Sequence, residues 1–221
     1  TGGLRGVLEA ARALRAAGQA FALALVTDTE GSTYRKAGAL AAVAGDGART
    51  GTISGGCLEP ALVMLCQQVI ADDRAGTTVF DTRGDDDLLF GSGSGCRGRM
   101  RVLAWPLPGV GDALLDALLA AHAAGSPLEL SVGVEDATLG TLAFDGSARA
   151  GFLPVCVAPV RRLLLLGAGP EAPPLLRLAH TLGWETTVAD HREGLLRPAR
   201  LPEAHALLAM KPTAALASAT R

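Results

Sequence analysis

Apolar residues along 4–17 recur at the spacing of one helix face and stop at Gly18, which predicts an amphipathic helix with a glycine C-cap. The next run, "AFALALVTDTEGST", has no polar interruption for its first seven positions and predicts a strand running into a loop. "ALAAVAGDGARTGTISGG" reads as two strands joined at "GDG", a hairpin signal. "CLEPALVMLCQQVIADD" then predicts a helix opened by Cys57, with Pro60 in its first turn, where a missing N–H costs little.

"TTVFDT" and "RMRVLAWPL" predict strands on either side of a glycine-rich segment, 91–98. Residues 112–124 predict a helix ending at Gly125, and three short strands are expected between 128 and 158. A strand at 162–166, a helix at 171–182 and a strand at 185–190 make one βαβ unit. Pro154 and Pro159 bracket an expected linker, and the Ala-rich tail after 212 is expected to be poorly ordered. The fold class is therefore α/β. A mixed-sheet α/β domain over 1–158 precedes a Rossmann-like βαβ domain over 159–221, the latter too short for six strands and so expected to be truncated.

Composition narrows the partners. With 49% hydrophobic and 19% charged residues the chain can bury a sizeable core, and 4% aromatic content makes that core mostly Ala, Leu and Val. A net charge of -2 gives no electrostatic footprint for nucleic acid, and no basic cluster suggests a membrane surface. No apolar run reaches the roughly 18–20 residues of a membrane span. The charged first helix does not read as a secretion signal, so a cytoplasmic protein is expected.

Candidate chemistry lies where glycines meet cysteines. Cys57 and Cys96 each follow a cluster of glycines, whereas a structural cysteine normally sits among bulky apolar residues. The backbone of Ser54, Gly55 and Gly56 ahead of Cys57, and of Gly93, Gly95 and Gly98 around Cys96, suits close approach by a ligand. At a helix start the macrodipole favours a thiolate, which makes Cys57 the stronger candidate; a small buried filler is the alternative. Glu59 reads as a first-turn helix charge, and Cys66 as core.

The loop "EGSTYRKAG" offers Ser32 and Arg35 to an anion or is simply an exposed turn. Asp85, Asp86 and Asp87 read as solvated or capping. None of the four cysteines, at 57, 66, 96 and 156, forms a C-x-x-C pair, so a closed zinc site is not expected. Gly167 and Gly169, followed about twenty residues later by Asp190, are a dinucleotide fingerprint in its proper strand–turn–helix context. Glu171, Pro173 and Pro174 count against a bound pyrophosphate there, and a half-Rossmann unit used for packing or dimerisation is the alternative.

Taken in order, "GSTYRKAG", "GTISGGCLE", "DDDLLFGSGSGCRGRMRVLAWPL" and "LLLLGAGPEA" followed by "TVADHR" resemble the XdhC/CoxI family, accessory proteins of molybdenum hydroxylases such as xanthine dehydrogenase. The resemblance implies a carrier that binds the molybdenum cofactor (molybdopterin), protects it, and delivers it to a molybdenum hydroxylase apo-enzyme. It also implies a Rossmann-like second domain, a homodimer, and a cysteine desulfurase as a further partner. The glycine loops would then hold the cofactor's phosphate, and Cys57 or Cys96 would lie near its metal. Arg97 stands where the family has a glycine after the second cysteine. Two rival readings remain: an NAD(P)-dependent oxidoreductase using 167–190, and an interaction module built on the half-Rossmann unit.

Overall fold

A computed structural model describes residues 2–83, 97–147 and 149–219. The chain divides into two compact units, Val7–Pro159 and a second that joins Val160–Arg221 to Thr1–Gly6.

The first unit is built on a five-stranded sheet of order β3-β2-β1-β5-β4. Its strands are β1 (Phe21–Gly31), β2 (Leu40–Ala44), β3 (Arg49–Gly51), β4 (Gly76–Asp81) and β5 (Gly98–Leu107). Every pairing in it is antiparallel, which corrects the expected mixed sheet in this domain. The reason lies in helix α2 (Glu59–Asp72). It does connect two strands of like direction, as a βαβ crossover does. However, β3 and β4 lie at opposite edges of the sheet, with three strands between them. No parallel neighbours result.

Central strand β1 explains its own unbroken apolar run, because both faces of the sheet are covered. Ala22, Ala24 and Val26, with Met100, Val102 and Ala104 of β5, pack against Leu62, Cys66 and Val69 of α2. The alternate residues Phe21, Leu23 and Leu25, with Leu103, Trp105 and Leu107, are buried on the opposite face. There the Trp105 indole N–H donates to the Gly140 carbonyl at 2.7 Å. Helix α1 (Gly3–Ala16) contributes Val7, Leu8 and Ala11 to buried structure, and α3 (Asp112–Ala124) contributes Leu114, Leu115 and Leu118. Gly125 closes α3 in the left-handed conformation, at φ 64°.

A three-stranded antiparallel sheet completes this unit, with β6 (Leu128–Gly133) between β7 (Leu142–Ala143) and β8 (Phe152–Val157). Pro154 lies inside β8 and does not mark a linker; β8 is an edge strand, where a missing N–H is tolerated.

The second unit has a parallel sheet of order β11-β10-β9, from β9 (Arg162–Leu166), β10 (Glu185–Asp190) and β11 (Ala206–Ala209). Helix α4 (Ala172–Thr181) joins β9 to β10, and Ala168, Ala172, Leu176, Val188 and Leu201 form the core. Within the Ala-rich tail, Pro212–Ala219 forms α5 where poor order was expected, consistent with the high helix propensity of alanine and a proline in the first turn. Residues 1–6 group with this unit and not with the domain over 1–158 in which the sequence pattern places them. Buried Arg5 reaches the Trp184 carbonyl at 2.9 Å and the rings of His180 and His205. Gly2 donates to the Thr181 carbonyl at 3.0 Å, an approach so close that a Cβ on Gly183 would collide with the Gly2 backbone.

Burial of Cys66 in the first core pushes its thiol up to about 12. Cys66 should therefore resist alkylation in the native protein and react only on unfolding, as mass spectrometry of its peptide across a denaturant series would show.

Candidate functional site

Two glycine-bearing loops of the first unit, 31–38 and 52–58, meet the ends of β4 and β5 at one end of its sheet. They border a small cleft of about 30 Å³, open to solvent, lined by Ser32, Thr33 and Tyr34, by the 53–58 segment except Gly56, and by Phe80, Thr82, Gly98 and Met100. Phe80, Thr82, Gly98 and Met100 share one face of β4 and β5 by strand alternation. On the opposite face Arg99 pairs with Asp28 at 2.7 Å, Arg101 reaches Asp28 at 3.2 Å, and Arg83 spans Glu30 and Asp81. That ladder ties the ends of β1, β5 and β4 together beneath the cleft.

The 31–38 loop is pinned to the strand ends. Ser32 donates its backbone N–H to the Arg97 carbonyl at 3.2 Å, and Lys36 Nζ donates to the Gly31 carbonyl and to Thr33 Oγ1. Thr82 and Gly98 exchange hydrogen bonds at 2.9 and 3.2 Å. Gly98 has no alternative here, because a Cβ would come within 2.5 Å of the Ser32 carbonyl oxygen. Its glycine serves this packing, apart from any ligand.

The cysteine-bearing loop is organised by Glu59. Its side chain is only 7% exposed, and its carboxylate receives the Ser54 hydroxyl, the Ser54 backbone N–H at 3.0 Å and Thr52 Oγ1 at 3.0 Å, with Arg49 at 3.3 Å. The Thr52 hydroxyl also lies against the Ser54 carbonyl and, with one proton, serves one acceptor at a time. Ser54 Oγ in turn accepts the N–H groups of Gly56 and Leu58, each at 3.1 Å. Burial alone would raise the Glu59 pKa; the hydrogen bonds from Ser54 and Thr52 outweigh it and bring the carboxyl from 4.5 to about 2.

This network spends the N–H groups of residues 54, 56 and 58 inside the loop. Those of Gly55 and Cys57 donate to no acceptor among the described residues. Both residues are exposed, and the 63% exposed ring of Tyr34 lies about 3.6 Å from where a Gly55 Cβ would stand. Cys57 does not open the helix: α2 starts at Glu59 with Leu58 as N-cap, so the thiol stands one residue ahead of it.

Ser32, Ser54, Gly55, Cys57 and Gly98 thus come together from three separate sequence motifs. Arg35 and Gly56 belong to the same loops but not to the lining; Gly56 holds the turn at φ 121°. Gly93, Gly95, Cys96 and the three aspartates 85–87 lie outside the described residues. Among the described residues no three His, Cys, Asp or Glu side chains cluster to hold a metal ion. Sequence reasoning missed Glu59 as the organiser and Tyr34 as the exposed wall. The available signal for Tyr34 was the placement of the chain's one tyrosine between glycines; no spacing in "TISGGCLE" marks Glu59.

Gly167, Gly169 and Asp190 are in the second unit, where β9 and β10 end side by side. Asp190 is 1% exposed. It accepts the Ala168 N–H at 2.8 Å, the Arg192 N–H at 2.8 Å and the Arg192 guanidinium at 3.0 and 2.8 Å. The guanidinium first, then the two backbone N–H groups, holds its carboxyl far below the usual carboxylate range.

An antiparallel α/β unit with a glycine–cysteine cleft, followed by a three-stranded Rossmann-like unit, defines the class of protein. Residues 14–81 match the XdhC and CoxI family, and residues 163–221 match the XdhC Rossmann domain, together more than half of the chain. The chain belongs to the XdhC/CoxI family. It is 28% identical over 218 residues to a protein of Bacillus subtilis (strain 168) named as a probable xanthine dehydrogenase subunit, covering 86% of this chain and 65% of that one. The chain therefore spans less than two thirds of that relative's length. A solved Bacillus halodurans structure described as a xanthine dehydrogenase superposes with a TM-score of 0.76 at 27% identity, covering 96% of this chain and 70% of that one. Among the described residues no helix is long and apolar enough to cross a membrane.

Replacing Glu59 by Gln should lower stability near neutral pH by about 1–3 kcal/mol, the range for hydrogen bonds to a charged group. Because the folded carboxyl titrates below its ordinary value, this contribution is present above about 4.5 and is lost as pH falls towards about 2. Denaturant melts of wild type and Glu59→Gln should accordingly converge across that interval.

Proposed function

We propose that this chain serves the maturation of a xanthine dehydrogenase-type molybdenum hydroxylase by holding the molybdenum cofactor in the cleft around Cys57 and passing it to the apo-enzyme. Family membership and the names of both relatives support the link to xanthine dehydrogenase. The observation that carries the reading is the convergence of two loops and the ends of β4 and β5 on one cleft that combines four kinds of contact.

Gly55 and Cys57 supply backbone N–H groups suited to a phosphate. Tyr34 supplies a flat exposed ring for a planar heterocycle, over an apolar floor of Ile53, Leu58, Phe80 and Met100. Ser32 and Thr33 supply hydroxyls, and Cys57 supplies an exposed sulfur of the kind that suits a soft metal centre. When bound, the cofactor would bring a phosphate for the N–H groups, a pterin for the ring and the hydroxyls, and a dithiolene-held metal for the sulfur. Glu59 touches none of them; it holds Ser54, and Gly55 and Cys57 face no acceptor among the described residues.

Protein purified from molybdenum-replete cells should release pterin and molybdenum in near-stoichiometric amounts. Cys57→Ala should retain about tenfold less, the effect of losing a contact worth about 1.4 kcal/mol, with an unchanged melting curve. Wild-type retention in that variant would remove the thiol from the binding site. Absence of pterin in the wild type, even after incubation with free cofactor, would sink the carrier role.

A further inference from the structure

We infer that the glycine turn of the second unit is a structural joint and not a dinucleotide site, although its sequence carries the fingerprint of one. A Rossmann turn holds a pyrophosphate with free backbone N–H groups at a helix N-terminus, and the acid at the end of the next strand takes a ribose hydroxyl. In this chain both devices are already engaged by the protein itself.

The donors are used up along the turn. Gly167 N–H goes to the Ala189 carbonyl at 2.8 Å, Ala168 N–H to Asp190 at 2.8 Å, and Ala172 N–H to the Gly169 carbonyl at 3.2 Å. Pro170, Pro173 and Pro174 have no N–H to give. Between 167 and 174 only the N–H groups of Gly169 and Glu171 remain. Beside them stands an anion, since a Cβ on Gly169 would lie 2.8 Å from Glu171 Oε2. A diphosphate approaching these two donors would meet a carboxylate at contact distance, and like charges at such range repel strongly.

The acceptor is spent as well. Asp190 Oδ2 holds Ala168 N–H and one Arg192 nitrogen, while Oδ1 holds the Arg192 backbone N–H and its Nε. His191 Nδ1 stands 3.5 Å from the same Oδ1. With its side chain 2% exposed, Asp190 presents no carboxylate face to a ribose. Its role is to fasten the end of β10 to the turn after β9. The NAD(P) chemistry expected from the fingerprint therefore has no seat in these residues as arranged, and the inference is independent of what the cleft in the first unit binds.

Amide hydrogen exchange on the full chain tests this, with NADH and NADPH as probes at about 1 mM, a concentration that would populate even weak sites. Exchange at Gly167–Glu171 should be the same with and without either nucleotide. In Asp190→Ala the Ala168 amide should lose protection and the melting temperature should fall; Arg192→Ala should do the same more mildly. Nucleotide-dependent slowing of exchange at Gly167–Glu171 would overturn the inference. So would an Asp190→Ala protein that keeps wild-type protection at Ala168 and wild-type stability. Should Asp190→Ala fail to fold, Arg192→Ala and the nucleotide arm on the wild type still decide between the two.

Discussion

A buried carboxylate that gathers its own loop is the constraint on which the cleft depends. Without Glu59, residues 52–58 would have no reason to turn back on the helix that follows them. The carboxylate draws in two hydroxyls and a backbone N–H, and Ser54 relays that order to Gly56 and Leu58. A buried charge is tolerable only when fully hydrogen-bonded, and this one has its donors from the loop and from Arg49. The result is a segment whose internal bonds fall on alternate residues. The intervening N–H groups, at 55 and 57, meet no acceptor among the described residues.

The two units use carboxylates in the same physical way but to opposite chemical effect. Glu59 takes the Ser54 N–H and Ser54 Oγ takes those of Gly56 and Leu58, which leaves 55 and 57 without an acceptor among the described residues. At the other turn Asp190 takes the Ala168 N–H, backbone carbonyls take those of Gly167 and Ala172, and three prolines have none, so the two that remain, at 169 and 171, lie beside the Glu171 carboxylate. Glycine-rich loops are therefore not equivalent as evidence. What distinguishes them is where each N–H is directed, and that depends on side chains several residues away.

Local elements were readable where periodicity and punctuation agree. Helix 112–124 with Gly125, and strands 162–166 and 185–190, stand where the pattern places them, because each is bounded by a residue with its own backbone requirement. Pairing was not readable. A helix between two strands suggests adjacent parallel neighbours, and nothing local to α2 reveals that β3 and β4 sit at opposite edges. Of the candidate site, Ser32, Ser54, Gly55, Cys57 and Gly98 were legible as glycine-flanked polar positions. Glu59 was not, since its partners at 52 and 54 follow neither helical nor strand spacing and exist only once the loop is folded. Gly98 was legible for the wrong reason: the close approach it permits is by the Ser32 backbone. Pro154 misled because a proline in an edge strand looks the same in sequence as a proline in a linker.

The central β1–β5 pair brings Phe21 opposite Leu107 and Gly31 opposite Gly98, partners far apart along the chain. Bringing such distant partners together costs chain entropy that local contacts do not. The cleft walls come from both sides of that closure, with Ser32 and Tyr34 following β1 and Gly98 and Met100 beginning β5. A half-folded chain consequently has no cleft. Any molecule held there recognises the finished sheet alone and adds its binding energy to the stability of that state, so cargo and completed fold report on one another.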